Sequence, residues 1–404
     1  MIIDKILKKR EYHPIQVGLF GCGFMGSSFI RQVSITIGVE ILAICNRDMD
    51  KAAAVFKEHN PSKPLCIITN NPDFLINLGN IDIIIDMTGS LEYSANFIIK
   101  AFENKIPVLT MNAELLATVG CVLNKYAKKY GVLFSDSLGD QPGVEMDLYR
   151  YIGHLGLKPI ILGNMKGFLN THAVKKDITA FIGKNKPTKV VAFTDGTKVA
   201  LEQALVANAT GLKIYQRGMI GLKGEKRPLS DIFNNFPLDT IKDGISDYII
   251  ECDRPFGVFC IAKNETLEKS LKDDLEYLHC GKGPYYCFHT PLHLCFFDTI
   301  ASIVRMVELK DEVIRPLDRP IANVITVAKR DLNIGEMLDG IGGEMCYGLC
   351  ENFEVIKTDN LIPMGLIENC ILKNKVKKDD VLTFSDVDLP PERLIDQLWK
   401  EQLG

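Results

Sequence analysis

The first third of the chain alternates short apolar runs with helix-like segments. Six runs rich in Val, Ile and Leu occur between Ile15 and Asp136: IQVGLF, VEILAICN, PLCIIT, DIIIDMTG, PVLTMNA and VLFSD. Continuous apolar runs, unlike strict alternation, are expected of strands that helices cover on both faces. The pattern therefore predicts an α/β fold with a doubly wound parallel sheet.

Beyond Asp136 the regular alternation ends, and longer segments that mix strand-like and helix-like composition follow. KPIILGNM, KVVAFT, GVFCIAK and GPYYCFHT have strand-like composition, and HLCFFDTIASIVRMVEL is a strongly apolar helix candidate. TKVALEQALVANA is helix-like and runs to Thr210 and Gly211, where the glycine favours a helix end. These segments predict an α+β second domain.

A third, mostly β region is predicted after the turn-rich RPLDRP. Short strand-like segments and many glycines extend from Ile321 to about Leu389. The tail PPERLIDQLWKEQL begins with proline and has spaced leucines, which predicts a short amphipathic helix. The predicted domains are residues 1–136, 137–319 and 320–404.

A glycine-rich turn, GCGFMG, stands between the first predicted strand and a helix-like segment. Gly21 permits the tight turn, Gly23 lets a pyrophosphate approach the backbone, and Gly26 lets helix and strand pack closely. Phe24 and Met25 lie within the motif. GxGxxG alone is weak, but in this position, with five more strand-like runs following, it predicts a Rossmann domain that binds a dinucleotide.

The end of the second predicted strand bears on the choice of cofactor. NAD-specific domains place Asp or Glu there, about 20 residues beyond the glycines, to bind the ribose 2'-hydroxyl. Asn46 and Arg47 occupy the position here, and arginine forms a charge-assisted pair with a 2'-phosphate. The sequence therefore favours NADP(H). The alternative is a solvated Arg47, with Asp48 or Asp50 contacting the ribose.

Small polar residues follow two later strands. Thr88, Gly89 and Ser90 come after DIIIDM, and Asn112 comes after PVLTM. Nicotinamide and substrate meet at the carboxyl ends of strands in this fold. These four residues are candidate cofactor contacts, and an ordinary turn is the alternative for each.

The second domain concentrates polar residues in a few segments. Lys198 and Glu202 are four residues apart on one helix face, and a solvent-exposed ion pair is the simplest interpretation. Asp195 precedes them, and Asn208 lies further along the same segment. Lys166 stands between glycines that would let it approach a ligand closely, so functional and structural interpretations both stay open.

A histidine- and cysteine-rich stretch, HCGKGPYYCFHTPLHLCFFD, precedes the predicted apolar helix. Its spacing matches no common zinc site, and Cys287 and His289 would point the same way from a strand among aromatic residues. Core packing is the favoured interpretation. His293 is the exception, because a histidine after proline at a helix start can face a cleft as a proton donor.

Composition narrows the class of partner. The chain has 404 residues, 47 basic against 51 acidic side chains and a net charge of -4, which gives no reason to expect nucleic acid or an anionic membrane. Because no signal peptide or long apolar span is evident, we expect a cytoplasmic protein with a small-molecule ligand. Its twelve cysteines, without CxxC pairs, are expected to be reduced thiols.

Taken in order, several segments resemble the homoserine-dehydrogenase-like oxidoreductases that carry a C-terminal SAF domain. They are GCGFMG, MNAELLATVG, SDSLGDQPGVEMDLYRY, GNMKG, DGTKVALEQALVANATG, RGMIG, GPYYCFHTPLHL and AKRDLNIGEMLDGIGGEMCYG. The resemblance covers about Ile15 to Leu389. It implies a Rossmann domain, an α+β catalytic domain and a small SAF (β-clip-like) domain from about Pro320, together with NADPH and a homodimer.

The best-known activity in that group is 1-deoxy-D-xylulose 5-phosphate reductoisomerase-like, which implies formation of 2-C-methyl-D-erythritol 4-phosphate. One departure concerns the Asn-Lys pair usual in homoserine dehydrogenases, because Ala113 and Glu114 follow Asn112 here. The candidate catalytic residues are Lys166, Asp195, Lys198, Glu202, Asp140, Glu114, His293 and Asn208.

Roles for these residues follow from the implied reaction. Asp140, Glu114 and Glu202 are candidates for acid/base or cation-binding roles, and Lys166 and Lys198 are candidates for phosphate binding. A divalent cation such as Mg²⁺ or Mn²⁺ would polarise substrate oxygens, but no spacing identifies its ligands. The alternatives are a related NADP-dependent dehydrogenase or oxidoisomerase of another sugar acid, polyol, phosphosugar or homoserine-like substrate, and a catalytically silent dinucleotide-binding protein.

Overall fold

The computed structural model describes residues 2–182, 187–253, 256–266 and 269–404. Its α-helices are α1 (Ile2–Lys9), α2 (Phe24–Ser34), α3 (Met49–His59), α4 (Pro72–Ile76), α5 (Leu91–Glu103), α6 (Ala113–Tyr130), α7 (Gln141–His154), α8 (Lys175–Ile182), α9 (Pro187–Thr194), α10 (Thr197–Thr210), α11 (Leu229–Ile232), α12 (Lys269–Tyr277), α13 (Cys295–Val304), α14 (Phe353–Thr358) and α15 (Leu394–Leu403). Its strands are β1 (Ile15–Phe20), β2 (Val39–Cys45), β3 (Ile67–Thr69), β4 (Ile83–Asp86), β5 (Val108–Thr110), β6 (Phe134–Asp136), β7 (Lys158–Lys166), β8 (Leu222–Lys223), β9 (Ile245–Ile250), β10 (Val258–Lys263), β11 (Tyr285–Thr290), β12 (Ala322–Ala328), β13 (Cys346–Asn352), β14 (Ile371–Leu372) and β15 (Val387–Asp388). Within these ranges no helix is long and apolar enough to span a bilayer.

Two compact units divide the chain. The first contains Met1–Gly143 and Leu294–Asp318, and the second contains Val144–His293 and Arg319–Gly404. Residues after Arg319 thus share a unit with the predicted catalytic domain. The predicted division into three domains stays a prediction.

The first unit contains the predicted doubly wound sheet. Six parallel strands follow the order β3-β2-β1-β4-β5-β6, which is the Rossmann order with its switch point between β1 and β4. The returning helix α13 completes the core, because its Ile300, Ile303 and Val304 join Phe29 and Ile30 of α2 in one apolar cluster. The α/β prediction is confirmed.

A five-stranded mixed sheet forms the centre of the second unit. Its order is β11-β10-β7-β9-β8, with β7 antiparallel to β10 and parallel to β9. Helix α10 is buried from Thr197 to Asn208 and ends before Gly211, whose φ is 85°. The predicted helix and its glycine stop are confirmed.

One strand prediction in this unit is wrong. KVVAFT belongs to α9, a helix, although its β-branched residues favour a strand. Val191 of this helix is buried with Ala173 and Ile178 in a small apolar cluster. Packing against neighbouring segments therefore overrides the local preference.

The chain after Arg319 adds small strands and loops to the second unit. Strands β12 and β13 pair antiparallel and pack on α10, and the predicted terminal helix forms as α15 with Trp399 buried. In the glycine-rich loop that follows Asp339, the Asp339 carboxylate accepts hydrogen bonds from the backbone amides of Glu344 and Met345. A Cβ on Gly343 would collide with that carboxylate, so the tight turn itself explains this glycine.

Candidate active site

The glycine-rich turn of the first unit leads from β1 into α2. Gly21 has a φ of 93° and a Cβ there would lie 2.8 Å from the carbonyl oxygen of Met87, while a Cβ on Gly26 would collide with the carbonyl oxygen of Gly21. Gly23 is the N-cap of α2, and a Cβ there would meet nothing within 4 Å. Two glycines thus make close packing possible, and the third leaves space at a helix N-terminus, which suits a pyrophosphate. Phe24 is exposed beside this space, and Met25 packs against the core.

Asn46 and Arg47 follow β2 and differ in their contacts. The Asn46 side chain accepts a hydrogen bond from the Cys22 amide at 3.0 Å and donates to the Asp48 carbonyl at 2.6 Å, so it ties the glycine-rich turn to the end of β2. Arg47 is exposed. The Asp48 carboxylate accepts the Lys51 amide at 2.9 Å and caps α3. Asp48, one of the two alternative ribose ligands, therefore already has a structural role, and the alternative with Asp50 stays a prediction.

The residues after β4 and β5 are joined through a buried carboxylate that sequence analysis missed. Asp86, the last residue of β4, is fully buried and accepts hydrogen bonds from Thr88 and Thr110. The Asn112 amide nitrogen donates to the Ser90 carbonyl at 3.2 Å. Gly89 and Ser90 are exposed on this turn. The four predicted residues after these strands thus form one connected turn region.

Four side chains meet in the interior of the second unit, and we call them the Glu202 cluster: Asn164, Lys166, Lys198 and Glu202. Glu202 is fully buried, and its Oε2 accepts hydrogen bonds from Asn164 Nδ2 at 2.8 Å and Lys166 Nζ at 2.9 Å. Lys198 Nζ lies 3.8 Å from Oε1. The side chains of Lys166 and Lys198 are only 13% and 11% exposed. The interpretation of Lys198 and Glu202 as a solvent-exposed pair is therefore wrong.

Electrostatics keep the Glu202 carboxylate ionised. Burial alone would raise the pKa of Glu202, but the charges of Lys166 and Lys198 and the hydrogen bond from Lys166 outweigh it, so the pKa lies below its ordinary value. The half-buried His293 adds a further attraction when protonated. The cluster presents two lysine ammonium groups around one fixed negative charge.

Asp195 and Asn208 lie on the same segment as the Glu202 cluster but have structural partners. Asp195 forms a buried ion pair with Lys329 at 2.7 Å and accepts the Thr197 amide. The Asn208 side chain accepts the backbone amides of Ile321 and Ala322 at the start of β12. Each connects α10 to the chain after Arg319, and their catalytic roles stay predictions.

The other two candidate carboxylates belong to the first unit. Asp140 is buried and accepts the Gln141 amide at 3.1 Å. Glu114 is half-buried in the first turn of α6, beside the buried Ala113. In the described parts of the chain, no group of three or more His, Cys, Asp or Glu side chains is arranged to hold a metal ion.

Comparisons with known proteins match both units in part. Residues 21–134 match the family model of the homoserine dehydrogenase NAD-binding domain, and residues 139–299 match that of the oxidoreductase DRL catalytic domain. Inositol 2-dehydrogenase 2 of Paenarthrobacter aurescens is 33% identical over 97 residues, which is 24% of this chain and 27% of that protein. Homoserine dehydrogenase of Bacillus subtilis is 25% identical over 126 residues, 29% of this chain and 28% of that protein. The matches thus span little more than a quarter of either relative.

Solved structures resemble the chain more distantly. A homoserine dehydrogenase from Thiobacillus denitrificans aligns over 91% of this chain and 97% of its own, with 15% identity and a TM-score of 0.42. A scyllo-inositol dehydrogenase from Lactobacillus casei aligns over 74% and 91%, with 11% identity and a TM-score of 0.45. At these values neither likeness bears on function.

The strand order, the glycine-rich turn and the family-model matches together define a class. The first unit is a nicotinamide-dinucleotide-binding Rossmann domain, and the chain has the domains of an NAD(P)-dependent oxidoreductase. Within that class, the cofactor domain is similar to that of homoserine dehydrogenases, and residues 139–299 are similar to the DRL catalytic domain.

Proposed function

We propose that this chain is an NADPH-dependent reductoisomerase that converts 1-deoxy-D-xylulose 5-phosphate to 2-C-methyl-D-erythritol 4-phosphate. The observation that carries the proposal is the Glu202 cluster, whose four residues all lie in the segment that matches the DRL catalytic domain. A phosphorylated hydroxyketone needs cationic groups that bind its phosphate and polarise its carbonyl and hydroxyl oxygens. Two nearly buried lysines held by one carboxylate meet that need.

Each residue of the cluster has a proposed task. Lys166 and Lys198 bind substrate oxygens, and the ionised Glu202 holds both ammonium groups in place. His293, which faces the Glu202 charge, transfers the proton of the substrate hydroxyl to the ketone oxygen, while one carbon–carbon bond breaks and another forms to the former ketone carbon. NADPH, when bound, would supply the hydride that, with one proton from solvent, reduces the resulting aldehyde to the alcohol. A divalent cation, Mg²⁺ or Mn²⁺, would further polarise the substrate oxygens.

NADPH is proposed over NADH because of the residues after β2. Asp48 caps α3, and Arg47 is exposed beside it. A 2'-phosphate would find the Arg47 guanidinium there, and one oxygen of Asp48 is already engaged at the helix N-terminus. In this proposal the chain acts as a cytoplasmic homodimer, with residues 320–404 as a SAF module.

The test is NADPH oxidation by the full chain with a panel of phosphorylated sugars, with and without Mg²⁺ or Mn²⁺. We expect oxidation with 1-deoxy-D-xylulose 5-phosphate and identification of the branched product by mass spectrometry and NMR. Lys198→Met should abolish turnover while NADPH still binds. NADPH binding without turnover of any phosphosugar, at any metal condition, would refute the proposed reaction and leave the cofactor assignment standing.

The second candidate is an NADP-dependent dehydrogenase of a polyol or homoserine-like substrate. The match of residues 21–134 to the homoserine dehydrogenase NAD-binding domain favours it. Ala113 stands against homoserine itself, because those enzymes usually have lysine after the asparagine at this strand end. Reduction of NADP⁺ with homoserine or inositol, in the absence of phosphosugar activity, would establish this candidate.

A further inference from the structure

The buried carboxylate at the end of β4 is the strongest feature that the proposed reaction does not use. Asp86 is fully buried, and three hydrogen bonds point at it: the Thr88 amide at 2.9 Å, the Thr88 hydroxyl at 2.8 Å and the Thr110 hydroxyl at 3.0 Å. An ionised carboxylate only accepts hydrogen bonds, so all three contacts suit the charged form. Burial opposes that form and raises the pKa of Asp86.

The hydrogen bonds continue outward from Asp86 in a fixed direction. Because the Thr88 hydroxyl donates its proton to Asp86, it accepts from the Ser94 hydroxyl at 2.7 Å. Ser94 in turn accepts from the Asn112 side-chain amide at 3.5 Å. On the other side, the Thr110 hydroxyl donates to Asp86 and accepts from the Asn112 backbone amide at 3.0 Å. Two routes therefore connect the buried carboxyl group of Asp86 to Asn112.

The network leads to a turn that is partly exposed. Thr88 is half-buried, and the following Gly89 and Ser90 are exposed. Asn112 holds this turn by donating to the Ser90 carbonyl, and its own oxygen accepts the Leu115 amide at the start of α6. The exposed turn is thus connected by hydrogen bonds to a buried carboxyl group at the end of β4.

The topology assigns this turn to one half of a dinucleotide. In the strand order β3-β2-β1-β4-β5-β6, each half of the sheet binds one mononucleotide. Asn46 and Arg47 follow β2 in the adenosine half, whereas Asp86 and Thr110 end strands of the other half. We propose that Asp86 is a positioning residue for the nicotinamide half of the cofactor, acting through the Thr88–Ser90 turn and Asn112. This inference rests on the cofactor assignment in the proposed function, and not on the identity of the substrate.

The experiment compares two ligands that share only the adenosine half. NADPH and adenosine 2',5'-bisphosphate are titrated against the full chain by fluorescence and calorimetry. Asp86→Asn should weaken NADPH binding by about tenfold, the effect of losing one buried hydrogen bond, and leave the affinity for adenosine 2',5'-bisphosphate unchanged. Arg47→Ala should weaken both ligands. Ser94→Ala and Thr110→Val, which retain the charge and remove one relay each, should show smaller losses for NADPH alone.

A matched control separates positioning from general loss of stability. Ser135→Ala removes a buried hydroxyl of β6 whose described hydrogen bonds are to Asp136, Val313 and Ile314, so it should leave both affinities unchanged. If Asp86→Asn does not fold, the two relay variants decide the question. Equal loss for both ligands, or unchanged NADPH affinity in all folded variants, would overturn the inference. A wild-type chain that binds no dinucleotide would overturn the proposed function together with it.

Discussion

The Glu202 cluster allows a stability prediction worked from its contacts. Glu202→Gln preserves the shape of the side chain but removes the negative charge that two nearly buried ammonium groups face at 2.9 and 3.8 Å. Removing one partner of a buried ion pair costs about 3 to 5 kcal/mol. Glutamine can retain the bond to Asn164, worth about 1 kcal/mol. We therefore expect the free energy of unfolding of Glu202→Gln to be about 3 kcal/mol lower than that of wild type at pH 7.

The measurement uses the chain's only tryptophan. Trp399 is buried in the second unit, so its fluorescence during urea unfolding reports on the unit that contains Glu202. Glu265→Gln is the control, because Glu265 pairs with Lys158 on the surface of the same unit, and exposed pairs contribute at most about 1 kcal/mol.

The dependence on pH provides a second check on the same variant. Because the pKa of Glu202 is below its ordinary value of 4.5, its contribution is fully present above that value and is lost as pH falls through the lower, folded-state pKa. The difference between wild type and Glu202→Gln should hold from pH 8 to pH 5 and shrink at more acidic pH. A loss below about 0.5 kcal/mol at pH 7, the range of ordinary surface substitutions, would refute the cluster's role.

Three further predictions follow from other contacts. Arg47→Ala should raise the NADPH dissociation constant by about ten- to a hundredfold while NADH binding changes little; equal loss for both cofactors would contradict the 2'-phosphate assignment. Burial raises the pKa of Asp247 to about 6 from 3.8. The stability that the protonated side chain contributes is therefore fully present below the unfolded-state pKa and is lost as pH rises through 6. The free energy of unfolding of wild type, measured in urea relative to that of Asp247→Asn, should therefore fall by about 2 to 3 kcal/mol between pH 4 and pH 7. A difference that does not change with pH would exclude the raised pKa. Ending the chain before Pro320 removes β12 and β13 from the buried α10, so we expect an aggregating second unit; a soluble, cooperatively unfolding product would disprove that dependence.

Local patterns were sufficient to predict the first unit's sheet. Each strand is a continuous apolar run, and each connection is helix-like. The glycine-rich turn identifies β1 as the strand that leads to the cofactor site. Gly211 likewise marks the end of α10, because glycine adopts the left-handed conformation there without help from a distant segment of the chain. These features are encoded within a few residues of where they act.

Features that depend on distant segments were not predicted. The burial of Glu202 requires Asn164 and Lys166 from β7, more than thirty residues away, so helical spacing alone suggested a surface pair. Asp86 looked like the end of an apolar run. The available signal was a single carboxylate at the end of an otherwise apolar strand, just before Thr88, Gly89 and Ser90. At such a position, hydroxyl and amide groups of the following turn can donate hydrogen bonds to a buried carboxylate.

The return of Leu294–Asp318 to the first unit affects how the protein is made. About 150 residues, Val144–His293, are synthesised between the two parts of that unit. At about 5 to 20 residues per second, the ribosome adds α13 roughly 8 to 30 s after the sheet has emerged. During that interval the apolar side of α2, with Phe29 and Ile30, lacks the helix that covers it in the finished core. We therefore expect the nascent first unit to expose an apolar surface, of the kind that chaperones bind, until translation passes Asp318.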